Sequence, residues 1–297
     1  MLIDKIRIAN LLHKGLGVSY FQLLREYLTK DGFVTIHIKD LSVDMDIGKA
    51  IIFAKTLRNI ENYGWRIVDS INNLVVYENK QKGIIKIYSR IADNLNFTVE
   101  INEVFVEELY KSSFTNKVVI DVGAYLGESA IYFAINGAKK VIALEPDEEN
   151  YKLALMNIKE NGLENKILLL NKALAPKEGV INFYRYCNSP YVNSIDLSNM
   201  VKLDDKLIVK QVEAITLNQV IKMAGEERIG LLKLDCEGCE YLVLNSFSDF
   251  NVIDNIIMEY HNGLQNLPSL LKDNGFEIKI EKNNEKSGIL RAYKNKN

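Results

Sequence analysis

Apolar and polar positions form blocks along the second half of the chain, where short apolar runs are separated by longer segments with helical spacing. Continuous apolar runs bounded by polar residues are typical of buried parallel strands, and the longer segments suit covering helices. The predicted strands lie at 117–122, 140–145, 166–171, 229–235 and 255–261, with helices at 146–162 and 217–225 among the connections. We therefore predict an α/β fold with a mostly parallel sheet covered on both faces.

The end of the chain follows a different pattern. The alternating segments 276–282 and 288–294 are joined by a short polar turn, as in a β-hairpin. The last strand is therefore predicted to run antiparallel to its neighbour. A further strand is predicted at 179–186, between the third parallel strand and the later helices.

The first hundred residues follow no single period and are predicted to form a small α+β unit over 1–102, which leaves 103–297 for the parallel-sheet domain. Helical spacing predicts the helices of this region, and alternation predicts the strands. The predicted helices lie at 19–30, 48–64 and 103–113, and the predicted strands at 33–39, 73–79, 83–89 and 96–102. We expect the N-terminal unit to shape an acceptor site or a homo-oligomer interface.

Composition narrows the functional classes. The formal net charge is -2, so no global basic field favours a nucleic-acid partner. The cysteine count of 3 is low and odd, which is typical of a reducing interior rather than of a disulfide scaffold. No apolar stretch approaches the ~18 residues of a membrane span, and the first residues lack the pattern of a signal peptide. These features favour a cytoplasmic protein without a membrane span.

A glycine loop follows the first parallel strand in the stretch "VVIDVGAYLGES". Asp121 ends the strand, and Gly123 and Gly127 let backbone amides approach a ligand at the start of a helix. Tyr125 stands where a dinucleotide-binding loop would have its middle glycine, and the lysine of a phosphate-binding P-loop is also missing. The remaining pattern suits a ligand that carries both an amine and a carboxylate, such as S-adenosylmethionine.

Polar residues also end the next two strands. Glu145 can accept hydrogen bonds from both hydroxyls of a ribose, and the amide of Asn171 can pair with the edge of an adenine. Because the carboxyl ends of parallel strands meet at one edge of the sheet, the loop, the acid and the amide form a series along it. The alternatives are a nicotinamide or flavin site, or a tight turn in which Glu145 only caps a helix.

Three stretches resemble the FkbM family of class I S-adenosylmethionine-dependent methyltransferases: "DVGAYLGES", "IALEPDEENYKLALMNIKENG" and "LLKLDCEGCEYLVL". The last one matches the Lys-x-Asp-x-Glu-Gly-x-Glu block of that family and is the most specific. The resemblance covers about 105–293 and implies a Rossmann-like fold that binds S-adenosylmethionine through the glycine loop, including Tyr125 and Ser129, and through Glu145 and Asn171. Tyr125 departs from the asparagine that the family often has there.

The chemistry is expected at the tips of the fourth and fifth parallel strands. Transfer of a methyl group to an alcohol needs an aligned acceptor and a group that takes its proton. Asp235 and Glu237 are predicted to face the junction of cofactor and acceptor, and His261 is the candidate base. The acids at the start of the next helix can also be read as favourable charge on a first turn, and His261 as a supporting residue.

A divalent metal held by Asp235, Glu237 and His261 is an alternative, because carboxylates and an imidazole suit magnesium or manganese. Cys236 and Cys239 have the C-x-x-C spacing of zinc and redox sites, but no second cysteine pair exists for zinc. We interpret the acids as the motif and the two cysteines as small packing residues, with Cys239 facing the sheet.

The sequence therefore favours O-methylation of a sugar, glycan, lipid or other small molecule that carries a hydroxyl. One alternative is an RNA methyltransferase, which would call for a basic face and base-stacking aromatic residues. A second alternative is a non-catalytic module that keeps the cofactor-binding fold. Retention of both Asp121 and Glu145 argues against that module.

Overall fold

A computed structural model describes residues 33–81, 83, 85–90, 94–187, 193–196, 206–281 and 286–294. Contacts within the chain divide it into two compact units. The boundary along the chain lies between Leu109 and Tyr110, whereas the sequence-based boundary lies after residue 102. The helix predicted at 19–30 lies outside the described residues.

The first unit contains an antiparallel hairpin followed directly by a long helix. The hairpin pairs β1 (Phe33–Ile38) with β2 (Leu41–Asp46), and α1 (Ile47–Asn62) comes next. The carboxylate of Asp46 accepts a hydrogen bond from the backbone N–H of Lys49 at 3.0 Å and so caps the helix. Apolar residues recur every three or four positions on the buried face of α1, namely Ala50, Phe53, Ala54, Leu57 and Ile60.

A second sheet of this unit is an antiparallel meander of β3 (Trp65–Ile71), β4 (Leu74–Asn79) and β5 (Ile85–Arg90). The predicted helix at 48–64 and the predicted strands at 33–39, 73–79 and 83–89 are confirmed. The sequence analysis missed β2 and β3.

Two other predictions in this unit are wrong. The predicted strand at 96–102 is helical, within α2 (Asn94–Ile101), and the predicted helix at 103–113 is a single π-helical turn at Asn102–Val106 followed by irregular chain. Phe97 and Ile101 are four residues apart and both fully buried, so they fit one helix face as well as an alternating strand. The spacing of this short segment fits a helix and a strand equally well, so its packing in the fold decides which of the two forms.

The second unit carries eleven strands in two sheets, counted over its described residues. In chain order they are β6 (Val118–Val122), β7 (Lys140–Leu144), β8 (Ile167–Leu170), β9 (Ala173–Leu174), β10 (Gly179–Tyr186), β11 (Asn193–Ser194), β12 (Leu207–Ile215), β13 (Ile229–Leu234), β14 (Asn255–Tyr260), β15 (Phe276–Glu281) and β16 (Gly288–Lys294). The larger sheet has the order β15-β16-β14-β13-β6-β7-β8. Strands β14 to β8 run parallel, and β16 is antiparallel to both neighbours, which confirms the predicted sheet.

Five helices connect or cover these strands within the described residues. They are α3 (Glu128–Ile135), α4 (Glu148–Glu160), α5 (Leu217–Ala224), α6 (Cys239–Ser246) and α7 (Leu267–Asp273). The chain moves from β6 outward to β7 and β8, then returns to the other side of β6 as β13 and β14. The strand order therefore reverses between β6 and β13, and a ligand crevice is expected at their carboxyl ends.

The smaller sheet has the order β11-β10-β12-β9. It confirms the strand predicted at 179–186 as β10, whereas the longer partner β12 was not predicted. None of the helices in the described part of the chain combines the length and the apolar character that a membrane crossing requires.

Candidate active site

The glycine loop between β6 and α3 is held tightly between two neighbouring strands. The backbone N–H groups of Gly123 and Ala124 each donate to the carbonyl of Leu144 at 3.0 Å, at the end of β7. On the other side, a Cβ built on Gly123 would lie 1.7 Å from the backbone oxygen of Asp235, just beyond β13. Gly123 also has a φ of 77°, so both close approach and left-handed backbone require glycine there.

Asp121 and Ser129, predicted separately from the same loop, are in direct contact. The hydroxyl of Ser129 donates to Oδ2 of Asp121 at 2.7 Å, and both residues are buried. Burial raises the pKa of Asp121, while the nearby ammonium of Lys233 and the Ser129 hydroxyl oppose that rise. The first turn of α3 is therefore fastened to the end of β6 by a buried carboxyl group.

Lys233 is a member of this site that the sequence analysis did not select. Its Nζ lies 3.1 Å from Oδ1 of Asp121 and 3.7 Å from Oδ2 of Asp235. Only 2% of the side chain is exposed. A lysine inside the continuous apolar run of β13 was the available signal, because a buried charge needs partners from elsewhere in the fold.

Glu145 has both carboxylate oxygens bonded to backbone near the glycine loop and the start of α4. Oε2 accepts from the N–H of Tyr125 at 2.9 Å, and Oε1 accepts from the N–H of Asp147 at 2.9 Å. Burial raises the pKa of Glu145 to about 8. Oε1 also accepts from the side-chain amide of Asn150 at 3.4 Å, so the acceptor capacity left for a ribose hydroxyl is the second lone pair of Oε2.

Asn171, at the end of β8, braces the turn after Glu145. Its side-chain N–H₂ donates to the carbonyls of Glu145 and Pro146, at 2.9 and 3.1 Å. The amide nitrogen is thus engaged by backbone, and the side-chain oxygen is the atom left to meet an adenine amine. The binding of adenine by Asn171 stays a prediction, in which only the side-chain oxygen takes part, as a hydrogen-bond acceptor.

Asp235 marks the end of β13 on the other side of the glycine loop. Its Oδ2 accepts a hydrogen bond from the hydroxyl of Tyr110 at 2.9 Å, and its side chain is 24% exposed. Asp235 is therefore anchored at one oxygen and partly open, as a residue facing a junction of two ligands would be. Tyr110 precedes the motifs in the sequence, so no local pattern pointed to it.

Glu237 and His261 come together although 24 residues separate them in the chain. Oε1 of Glu237 lies 3.4 Å from Nε2 of His261, and Oε1 of Glu240 lies 3.4 Å from Nδ1 of the same ring. The other oxygen of Glu237, Oε2, is buried and has no hydrogen-bond partner among the described residues. Glu237 and His261, two of the three predicted catalytic residues, thus form one cluster beside the ends of β13 and β14.

The imidazole of His261 is held in its charged form. Burial by itself would lower the pKa of His261, but hydrogen bonding to Glu240 and the charge of Glu237 raise it to about 10. Burial raises the pKa of Glu237 to about 7, against the opposing charge of His261. Near neutral pH, the group that gains or loses a proton in this cluster is therefore Glu237.

Cys236 and Cys239 form a disulfide, with their Cα atoms 5.4 Å apart. The prediction that both cysteines act only as packing residues is therefore wrong, although Cys239 does lie in the core as expected. The bond spans Glu237 and Gly238, which both have positive φ, of 55° and 114°. A tight left-handed turn brings the two sulfur atoms together, and paired sulfurs offer no thiolate to zinc.

Replacing the pair by Cys236→Val and Cys239→Ala is expected to lower the free energy of unfolding by about 1–2 kcal/mol, because the bond closes only a short loop. We expect methyl transfer to stay largely intact. Urea denaturation of the double variant, beside wild type with and without dithiothreitol, measures the loss. Normal folding with abolished turnover would instead give the bridge a direct part in catalysis.

A buried acid at the start of α3, directly after the glycine loop, predicts a pH dependence of stability. Burial raises the pKa of Glu128 to about 8, well above the 4.5 expected in the unfolded chain. The folded state therefore holds a proton that the unfolded state releases, so stability falls as pH rises from about 4.5 through about 8. Glu145 and Glu237 act in the same direction.

Glu128→Gln removes one of these titrations and keeps an oxygen that can accept from the N–H of Leu126. We expect the variant to lose less stability than wild type between pH 5.5 and 8.5, by up to about 3 kcal/mol, since pH 5.5 lies about 2.5 units below the folded pKa and one pKa unit is about 1.4 kcal/mol. Urea unfolding at both pH values measures the difference. Parallel curves for the two proteins would contradict a buried, titrating Glu128.

The residues that could hold a metal in the structure differ at one position from those that the sequence suggested. Asp235, Glu259 and His261 each place one potential ligand atom within 4.8 Å of the others. Glu237, which the sequence analysis had grouped with Asp235 and His261, contacts the imidazole instead. A metal at this edge stays a prediction.

A parallel sheet with a strand-order reversal, a glycine loop at that point and acids at neighbouring strand tips define the Rossmann-like fold of class I methyltransferases. The family model described as the methyltransferase FkbM domain matches residues 121–278, which is more than half of the chain. The chain belongs to this family, and it is a methyltransferase.

One of the similar proteins is named as a methyltransferase. The chain is 24% identical over 228 residues to methyltransferase sdnD of Sordaria araneosa, a match that covers 63% of this chain and 88% of that protein. It is 26% identical over 232 residues to the AMB antimetabolite synthetase AmbE of Pseudomonas aeruginosa, of which it covers only 11%. Among solved structures, M. capricolum TrmK in complex with S-adenosylhomocysteine is similar at 14% identity and a TM-score of 0.38, over 62% of this chain and 65% of that one.

Proposed function

We propose that this protein transfers the methyl group of S-adenosylmethionine to a hydroxyl of a sugar, glycan, lipid or other small molecule. Membership of the methyltransferase family supports methyl transfer, and the strand tips described above support the choice of cofactor and acceptor. The observation that carries the choice of a hydroxyl is the Glu237 carboxylate, which has one oxygen beside His261 and one buried oxygen without a described partner.

The residues present fit S-adenosylmethionine by the chemistry of their donors and acceptors. Carboxyl groups stand at the ends of β6 and β7, where an amine and a ribose need acceptors. Asp121 would act on the amine, Glu145 on the ribose hydroxyls and the side-chain oxygen of Asn171 on the adenine amine. When bound, the cofactor supplies an electrophilic methyl group on a sulfonium.

The acceptor side has to remove a proton from a weak nucleophile. A hydroxyl becomes a competent nucleophile only as its proton leaves, so a base must lie within hydrogen-bond reach. Glu237, with a pKa near 7, can take that proton through Oε2. The charged ring of His261 would hold the carboxylate in place and stabilise its ionised form, a different part from the base that the sequence suggested.

The balance of the reaction is simple. The acceptor oxygen would bond to the methyl carbon of the cofactor as the bond between that carbon and sulfur breaks, and Glu237 would take the acceptor proton. The neutral thioether that leaves is S-adenosylhomocysteine. Asp235, anchored by Tyr110 and partly exposed, would accept a hydrogen bond from the acceptor and align it.

Two measurements test this function. Calorimetry with S-adenosylhomocysteine tests the cofactor, and no binding at micromolar protein would overturn the proposal. Incubation with methyl-labelled S-adenosylmethionine and separate glycan, lipid and RNA extracts tests the acceptor class. We expect label in an alkali-stable methyl ether of the glycan or lipid fraction, whereas label confined to RNA would replace the hydroxyl proposal with the nucleic-acid alternative.

A further inference from the structure

Lys233 has an environment that differs from that of an ordinary buried ion pair. Its ammonium donates to the backbone oxygen of Gly123 at 2.7 Å and of Val122 at 3.3 Å, in addition to its contact with Asp121. The same Nζ lies 5.1 Å from the centre of the Tyr110 ring. The ammonium therefore has two backbone acceptors and a carboxylate beside it, and its near-complete burial leaves little of it open to a substrate.

These contacts join two parts of the site that have different tasks. Asp121, Val122 and Gly123 belong to the end of β6 and the glycine loop, where the cofactor would bind. Asp235 belongs to the end of β13, on the acceptor side, and Lys233 and Asp121 are register partners on the two adjacent parallel strands. One ammonium thus contacts both sides at the point where the strand order reverses.

The charges around Lys233 explain why a cation is retained there. Asp121 and Asp235 share this single ammonium, Glu128 also acts on its charge, and the carboxyl groups of Asp121 and Glu128 are almost fully buried. Without Lys233, the carboxyl group of Asp121 would have only the Ser129 hydroxyl as its described partner. A buried carboxylate with no compensating charge takes up a proton or moves toward water, and either change would alter the end of the glycine loop.

We propose that Lys233 is a positioning residue for methyl transfer, which fastens the cofactor loop to the acceptor-side strand tip and acts on the cofactor through Asp121. This inference rests on the proposed function, because it assigns Asp121 to the cofactor amine. It assigns Lys233 no contact with either substrate. The ammonium sets where the Asp121 carboxylate and the Gly123 backbone stand relative to Asp235.

A double-mutant cycle on the affinity for S-adenosylhomocysteine tests this inference. The proteins are wild type, Lys233→Met, Asp121→Asn and the double variant, each measured by calorimetry and by urea unfolding. We expect each single variant to raise Kd by at least tenfold. Because Lys233 acts through Asp121, the double variant should bind within threefold of Asp121→Asn alone.

Independent effects, with Kd of the double variant raised about a hundredfold, would show that Lys233 does not act through Asp121. A Lys233→Met variant within twofold of wild type would overturn the inference outright. If Lys233→Met does not fold, Asp121→Asn and the double variant still decide, since the double variant leaves no unpaired charge between these two side chains. A tenfold difference in Kd between those two proteins would contradict the proposal.

Lys117→Met is the matched control. Lys117 pairs with Asp254 at the opposite end of the same sheet, before β6 and β14, so its loss should change stability without changing Kd. If wild-type protein fails to bind S-adenosylhomocysteine at all, the proposed function falls and takes this inference with it. If wild type binds and the cycle shows no coupling, only the role of Lys233 is wrong.

Discussion

Glu237→Gln is expected to lower kcat by about 10²–10⁴-fold, which is the usual contribution of a positioned general base. Glutamine has the same shape and can keep a contact with Nε2 of His261, but it cannot accept the acceptor proton. The affinity for S-adenosylhomocysteine should stay within about twofold of wild type. Steady-state kinetics with the acceptor found by the labelling assay, together with calorimetry, separates the two effects.

The pH profile adds a second readout for the same residue. A base works in its deprotonated form, so kcat of wild type should rise as pH increases through the pKa of Glu237, about 7, and then level off. Glu237→Gln should lose that rise. Glu240→Gln is the comparison, because Glu240 contacts the other nitrogen of His261 and accepts from the N–H of Gly238. If Glu240→Gln strongly lowered kcat while Glu237→Gln kept the kcat of wild type, Glu237 would not be the base that takes the acceptor proton.

Glu145→Ala is expected to weaken binding of S-adenosylhomocysteine by about 1–3 kcal/mol, or roughly 5- to 150-fold in Kd, the cost of leaving a buried hydrogen-bonding group without its partner. The substitution removes the acceptor for ribose and also the acceptor for the N–H groups of Tyr125 and Asp147. Both losses act in the same direction, because the glycine loop is part of the same site. Calorimetry gives Kd, and urea unfolding shows how much of the change is structural.

Two variants help to separate these contributions. Glu145→Gln keeps one neutral acceptor and should bind with an intermediate affinity. Glu148→Ala removes an exposed acid at the start of α4, where Glu148 pairs with Lys152, and should leave Kd unchanged. An unchanged Kd in Glu145→Ala would remove Glu145 from the ribose.

The polar residues at the strand tips could be predicted because each follows directly on an apolar run. Asp121, Glu145 and Asp235 end or directly follow buried parallel strands, and such strands end at one edge of their sheet. The antiparallel last strand was predictable for a similar local reason, since a short polar turn between alternating segments forms a hairpin. The segment at 96–102 failed because its apolar spacing satisfies a helix and a strand equally.

Lys233 could not be assigned a partner from the sequence. Asp121 lies 112 positions earlier in the chain, and only the register between β6 and β13 sets the two residues side by side. The charge state of His261 could not be predicted either, because Glu237 and Glu240, which lie more than twenty positions earlier in the chain, hold the proton on its ring. The C-x-x-C spacing permitted a disulfide, and the backbone turn at Glu237 and Gly238 brought the sulfurs together.

The sequence by itself determined the class of fold, the order of loop, acid and amide along one sheet edge, and the block that carries the acids. The first two follow from period, turn chemistry and strand polarity, which act over a few residues, and the block was found through its resemblance to the FkbM family. Only the tertiary structure decided which groups touch, and therefore which of them hold protons near neutral pH. The reason is physical: pKa values and ion pairing depend on burial and on distances of a few ångströms between segments far apart in the chain.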